Sequence, residues 1–403
     1  MKILFLAHRI PVPPNKGEKI RAFHMLRHLG REHAVDLLTL VDDPRDRAHL
    51  DLLRGVCRRC EVVAHGAAHR WWAVPRAIAR GTAITLASFY SPDLAEIARC
   101  WQRDNDYDAV LAFSSTMAQY VESGGRSRRV MDFVDVDSAK WDQYGQEAMW
   151  PLSWLYRREG RLVGAWEARV ARRFDVSTFV SEPEAALFRT RVPDAKDVRV
   201  VANGVAERFL AEGWEPRRAA GAAAANLAFL GTMDYRPNID GVVWFGKTIW
   251  PEVQHTVPGT SFTIIGGRPA AAVRRLGRRP GVRVTGFVDD VVGELAAADL
   301  FVAPLRIARG VQNKVLEALA FGLPVVATPQ ALEGIDAEPG RHLLVAGDPE
   351  GFAAAVIGLL RRPDQARAMG QAARLHMANH YRWDQVLAPL TELFPAPEPV
   401  VAV

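Results

Sequence analysis

The stretch R-G-V-Q-N-K-V-L-E-A-L-A-F-G-L-P-V-V-A-T, from Arg309 to Thr328, decides how this 403-residue chain is read. Gly310 permits a tight turn, Val311–Phe321 carries helix formers, and Gly322 stands where a helix C-terminus takes a left-handed residue. Pro324 then opens a strand at Val325–Ala327. Val315, Leu316, Leu319 and Ala320 recur at helical spacing and predict a face packed on a sheet, while Asn313 and Glu317 share another face nearer the helix start. Backbone N–H groups after Gly310 have no intrahelical acceptor; with Lys314 and Arg309 beside them, they make a ready phosphate site. A Glu one turn further in can accept hydrogen bonds from a ribose diol. The pattern predicts a nucleoside diphosphate site. The alternative is an ordinary buried helix with its Glu and Lys in solvent.

The rest of the chain supplies the setting. Short apolar runs at Lys2–Ala7, Val35–Leu40, Glu61–Ala64, Ala109–Phe113, Val130–Phe133, Val176–Val180 and Val198–Val201 alternate with helical stretches such as Glu18–Leu29, Pro92–Asp104 and Glu182–Thr190. Such alternation predicts an α/β, doubly wound parallel sheet. The loop between Ala7 and Glu18, with Gly17, repeats the strand, glycine and helix-start order of the Gly310 region. The pattern breaks in a Gly-, Pro-, Arg- and Ala-rich passage and restarts at Leu227–Leu230, Ser261–Ile265, Val282–Thr285, Leu300–Ala303, Val325–Ala327 and Leu343–Val345. The expected organisation is a first Rossmann-like domain at 1–205, a linker at 206–226 and a second Rossmann-like domain at 227–380. A helix at 381–394 and a disordered tail at 395–403 follow.

With 49% hydrophobic and 24% charged residues, the composition is that of a soluble globular protein. A net charge of +5 does not demand nucleic acid, and the basic residues are spread without a recognition module. No apolar run approaches the roughly 20 residues that span a bilayer, and Ile3–Ala7 is too short for a signal segment. A cytoplasmic protein is expected, either free or in peripheral contact with the inner membrane face. Cys57 and Cys60 have redox or zinc spacing but lack a second pair or a His at ligand spacing, so structural thiols are expected. Seven of the 11 Trp precede residue 170, several among arginines. Trp150, Trp154 and Trp166 with Arg157, Arg158, Arg161, Arg169, Arg172 and Arg173 suit either an interfacial helix on anionic lipid or a long helix whose Trp face is core.

N-G-V at Asn203–Val205, F-L-G-T-M-D-Y-R-P-N at Phe229–Asn238, T-G-F-V-D-D at Thr285–Asp290, A-A-D-L-F-V-A-P-L at Ala297–Leu305 and the N-K-V-L-E-A-L-A-F-G-L-P segment resemble retaining glycosyltransferases of family 4, of GT-B fold. V-M-D-F-V-D-V-D-S-A-K-W at Val130–Trp141 and Gln312–Leu319 are most similar to the sugar transferases of exosortase (PEP-CTERM) and exopolysaccharide gene clusters. The resemblance implies two domains facing across a cleft, the second binding a nucleoside diphosphate sugar and the first an acceptor, with a terminal helix returning to the first. It implies that Glu317 holds the donor ribose and that the amides of Gly310, Val311, Gln312 and Asn313 meet the diphosphate. Gly286, Phe287 and Val288 are implied near the base, and Gly17 near the donor phosphates.

The chain also departs from that family. Where the family has the first of two Glu residues separated by seven others, Arg309 stands. The Arg and Lys expected after the second domain's first strand are missing, Arg236 being the nearest cation. No His is evident at the end of the strand Ala109–Phe113. Retaining transfer requires stabilisation of a leaving diphosphate, assigned here to Arg309, Lys314 and the Gly310–Asn313 amides, without a metal ion or cofactor. Asp132 and Asp135, at the end of a first-domain strand, are the acceptor-side candidates, and His8 is a weaker one. The expected reaction moves a hexose from a nucleoside diphosphate sugar to a lipid-linked or polysaccharide acceptor. The alternatives are a degenerate scaffold or binding protein of a polysaccharide assembly complex, and a nucleotide-sugar epimerase.

Overall fold

The computed structural model describes residues 1–214 and 225–395, apart from the side chains of residues 67–71. The chain divides into two compact units, one formed by Met1–Ala202 with Leu387 onward, the other by Asn203–Val386.

In the first unit a seven-stranded parallel sheet runs in the order β3-β2-β1-β4-β5-β6-β7. Its strands are β1 Lys2–Ala7, β2 Ala34–Val41, β3 Arg59–Ala64, β4 Ala109–Phe113, β5 Arg128–Val134, β6 Val176–Phe179 and β7 Val198–Val200. The crossovers carry α1 Gly17–Leu29, α2 Ala67–Ala79, α3 Ile84–Ser88, α4 Pro92–Asp104, α5 Asp137–Glu147, α6 Leu152–Arg173 and α7 Glu182–Arg191. The central strands are continuous apolar runs because helices cover both faces of a parallel sheet: every residue of β4 is buried. Strand order reverses between β1 and β4, which makes the carboxyl ends of these two strands a crevice for ligands. The terminal helix Ala388–Leu393 belongs to this unit. His28 Nε2 lies 2.8 Å from Thr391 Oγ1, and Arg128 donates to the carbonyl of Leu393 at 2.9 Å.

The second unit repeats the plan with six parallel strands in the order β10-β9-β8-β11-β12-β13. These are β8 Asn226–Leu230, β9 Ser261–Ile265, β10 Val282–Val284, β11 Leu300–Ala303, β12 Val325–Ala327 and β13 Leu344–Val345. Its helices include α8 Glu207–Glu212, α9 Arg236–Trp244, α10 Trp250–Thr256, α11 Ala271–Leu276, α12 Val291–Ala296 and α13 Asn313–Phe321. Here the reversal falls between β8 and β11. Of α13, Val315, Leu316 and Ala318–Phe321 are buried, and Gly322 takes φ +90° to close the helix, as its lack of a Cβ allows.

Two sequence expectations need correction. The linker at 206–226 is in its first part the helix α8: Trp214 donates its amide to Phe321 at 2.6 Å and its indole N–H to Ala298 at 2.8 Å, while Arg374 caps Leu210. Phe209 and Leu210 are apolar enough to bind these residues into the second core. Positions 215–224 of that linker, and the tail beyond Pro395, lie outside the described residues. The single helix expected at 381–394 is two short ones, Trp383–Val386 and Ala388–Leu393, and the two fall in different units.

Candidate nucleotide-sugar site

The carboxyl end of β8 is followed by Gly231, where backbone and side chains crowd together. A Cβ there would lie 2.6 Å from Asn238 Nδ2 and 3.3 Å from Lys314 Cε. Opposite, β11 leads through Pro304 and Leu305 into the loop that ends at Gly310, whose φ of +63° turns the chain into α13. Gln312 is the residue before α13 and makes no side-chain cap, so the first amides of the helix are left for another acceptor. The helix begins at Asn313, two residues later than its helix formers suggest, which leaves Val311 and Gln312 in the loop.

Lys314 crosses from this helix to the β8 side. Its ammonium donates to Asn238 Oδ1 at 3.0 Å and to Gln312 Oε1 at 3.4 Å, and lies 5.7 Å from the Phe229 ring centroid. Burial pulls its pKa down to about 8, with Glu317 acting in the opposite direction. Burial pushes Glu317 up to about 7, against the pull of Arg208 and Lys314. Both groups therefore titrate near neutrality, and the cation is held by two neutral amides. Asn313 Oδ1 accepts from Asn203 Nδ2 at 3.0 Å, which ties N-G-V to the helix start.

Further along the same rim, Gly231 N–H donates to Ile265 and Met233 N–H to Gly267, and Gly266 bridges to Gly286. Any side chain at Gly266 would collide with the Gly231 carbonyl, its Cβ falling at 1.7 Å. This draws Gly286, Phe287 and Val288 to the loops beside Gly231, with Phe287 76% exposed at the rim. Arg236 is exposed at the first position of α9, two residues before Asn238. Arg309 is half-buried beside Gly310.

Residues 224–362 match the family model of glycosyl transferases group 1, and residues 16–204 match that of the glycosyl transferase 4-like domain. The chain belongs to the family 4-like glycosyltransferases. It is 25% identical over 349 residues to a GDP-mannose-dependent monoacylated alpha-(1-6)-phosphatidylinositol monomannoside mannosyltransferase of Corynebacterium glutamicum, covering 80% of this chain and 82% of that one. A GDP-mannose-dependent alpha-(1-6)-phosphatidylinositol monomannoside mannosyltransferase of Mycobacterium tuberculosis is 30% identical over 281 residues, 62% of this chain and 67% of that one. Sucrose-phosphate synthase from Thermosynechococcus elongatus shares the fold, with a TM-score of 0.72 at 15% identity over 98% of both chains.

In the first unit of this glycosyltransferase the candidates separate. Asp132 is fully buried: Arg21 donates to its Oδ2 from Nε at 3.0 Å and from Nη2 at 2.8 Å, and Val134 N–H takes Oδ1 at 2.9 Å. Its lone pairs are committed to the fold, so its place as an acceptor-side group is corrected to a structural one. Asp135 differs. It follows Val134, held at φ +70°, a costly conformation for a β-branched residue. Its Oδ1 is buried with no hydrogen-bond partner among the described residues. Burial, then the nearby Glu184 and Asp137, push Asp135 up to about 7. A second strained residue, Ser114 at φ +76°, directly follows β4. His8 stacks on Phe113 at 5.8 Å, and burial lowers its pKa to about 4, so it is a neutral ring in the wall. Gly17, exposed at the first position of α1, remains on the loop after β1.

Sequence reasoning passed over Asn203, Gly231, Asn238 and Arg208 as site residues. The first three stand inside quoted motifs and carried a signal. Arg208 fell in the expected linker, and only the packing of α8 against α13 brings it near Glu317.

Proposed function

We propose that this glycosyltransferase holds a nucleoside diphosphate sugar on the β8–β11 rim of its second unit. It transfers the hexose, with retention and without a metal ion, to a lipid-linked or polysaccharide acceptor. The observation that carries this reading is Lys314, a semi-buried cation at a helix N-terminus whose only direct hydrogen-bond partners among the described residues are neutral amides. As the anomeric bond breaks, negative charge develops on the departing diphosphate. In this reading Lys314, the α13 amides and Arg309 stabilise that charge. Glu317 takes the ribose hydroxyls and Phe287 flanks the base, while Asp135 is the acceptor-side candidate of the first unit.

The names of the two mannosyltransferase relatives make GDP-mannose the first donor to try and a glycolipid the first acceptor. The Val130–Trp141 likeness supports a role in exopolysaccharide assembly at the inner face of the cytoplasmic membrane. A second reading, a binding protein without turnover, is favoured by Arg309 standing where the family's first Glu is expected. Melting of the purified protein with GDP, UDP, ADP and dTDP and their sugars tests both. A ligand at 100 times its Kd adds about 2.7 kcal/mol. The transfer reading expects one base to raise Tm, Glu317→Ala to abolish that shift, and the sugar to be released onto an acceptor. A shift without turnover selects the binding protein, and no shift with any nucleotide overturns both.

A further inference from the structure

Most of the large apolar side chains exposed among the described residues lie on two neighbouring elements of the first unit. Met149, Trp150, Leu152 and Trp154 are 86%, 82%, 50% and 56% exposed at the turn between α5 and α6. Trp72, Val74 and Ile78 are exposed on α2. The α5–α6 pair is an antiparallel hairpin locked by glycines. A Cβ at Gly145 would meet Arg157 Cγ at 2.8 Å, and one at Gly160 would meet Asp142 Oδ1 at 2.5 Å. Trp141 and Tyr144 of α5 also pack on Tyr156 of α6. The tip is thus a rigid projection that carries two indoles and a Met at its end.

The second element is fastened to the first. Arg158 donates to the carbonyls of Ala77 and Thr82 at 3.3 and 3.2 Å, and Glu159 accepts from the amides of Ile84 and Thr85 at 2.9 and 2.6 Å. Ile78 and Trp154 each lie within one helical turn of that clasp. Around the apolar groups stand Arg76, Arg80, Arg157 and Arg161, all exposed and none in an ion pair among the described residues. The acid closest in sequence to the tip, Glu147, is bonded to Gln143. Farther along α6, Arg172 pairs with Asp194, Arg173 donates to Val121 and Ser123, Arg169 lies 6.0 Å from the Trp166 ring centroid, and the Trp166 indole donates to Ser115. So neither sequence reading of this helix holds whole. Its second half is packed, whereas its first turns are apolar, cationic and uncovered.

We propose that the α5–α6 tip and the α2 face together dock this unit on the headgroup region of an anionic bilayer. Indoles prefer that boundary, and uncompensated guanidinium groups gain from its negative potential. A protein partner would need a concave, acid-lined receptor for a convex tip, whereas a lipid surface deforms around it. The inference goes beyond the transfer reading and holds for either acceptor, because nucleotide binding is measured without lipid.

Flotation tests it, with vesicles of phosphatidylcholine containing phosphatidylglycerol against vesicles of phosphatidylcholine alone. The parent should float with the anionic vesicles and lose most of that binding in high salt. Arg157→Gln with Arg161→Gln should weaken binding roughly thirtyfold, about fivefold for each cation removed from the surface. Trp150→Ser with Trp154→Ser should weaken it at least as much, with Tm and nucleotide binding unchanged because these side chains are exposed. A parent that fails to float, or variants that float as the parent does, overturns the proposal. Concentration-dependent dimerisation that disappears with Trp150→Ser and Trp154→Ser also overturns it and assigns the patch to a second copy of the chain.

Discussion

The two sheets share one topology, yet their rims treat cations in opposite ways. Near the β1–β4 reversal, Lys19 is tied to Asp46 at 2.5 Å, Arg21 to Asp132 at 2.8 Å and Arg9 to Glu18 at 2.6 Å. At the β8–β11 reversal, Lys314 has only amide oxygens as direct partners. A carboxylate partner consumes a cation's field locally and fixes the fold, whereas a neutral partner orients the cation and leaves its charge for a ligand. The contrast separates a charge that builds the structure from one kept for chemistry. It also explains why similar sequence patterns, a strand and a glycine loop before a helix, lead to different sites.

Removing the buried partner should break the comparison most visibly. Asp132→Ala leaves Arg21 charged in the core, and should cost about 3–5 kcal/mol of stability. Denaturant midpoints measure it, and a loss below about 1 kcal/mol would show that the pair is not structural. Lys314→Met should do the reverse, leaving Tm near the parent's while kcat falls roughly 10²–10³-fold. A stability loss as large as that of Asp132→Ala would put Lys314 in the same class as Arg21.

Glu317→Ala should lower nucleoside diphosphate affinity by about 1.5–3 kcal/mol, a loss read by calorimetry. The smallest effect is the pH profile of that affinity. Lys314 is charged below its pKa of about 8, and Glu317 is ionised above its own of about 7. Affinity should therefore peak between these values, falling at higher pH as Lys314 loses its proton and at lower pH as Glu317 gains one. Lys314→Arg should remove the alkaline fall and Glu317→Gln should flatten the acid one; a profile unchanged in both would place the titrating groups elsewhere.

Much of this was legible in the linear chain, for reasons of local physics. Continuous apolar runs of strand length report a sheet covered on both faces. The left-handed turns at Gly310 and Gly322 were legible because few residues besides glycine adopt that backbone. The boundary of α13 was not: propensity favours helix from Val311, but tertiary context holds Val311 and Gln312 in the loop. The linker misled for a related reason. Its alanine- and arginine-rich composition says little about Phe209, Leu210 and Trp214, whose partners lie on α13, on the helix Pro363–His380 and at the Ala298 carbonyl, distant in sequence.

Asp132 and Asp135 bring this down to four residues at one strand end. Sequence makes them equivalent, two carboxylates after an apolar run. Arg21, more than a hundred positions earlier, pairs with the first, whereas the second follows the left-handed Val134 and its Oδ1 has no hydrogen-bond partner among the described residues. Periodicity, glycine placement and charge are properties of neighbours along the chain, and they set the fold class and the helix that carries Lys314 and Glu317. Which charge finds a carboxylate, which finds an amide and which indole stays in water depends on contacts between segments far apart in sequence. Those contacts exist only once both cores have packed.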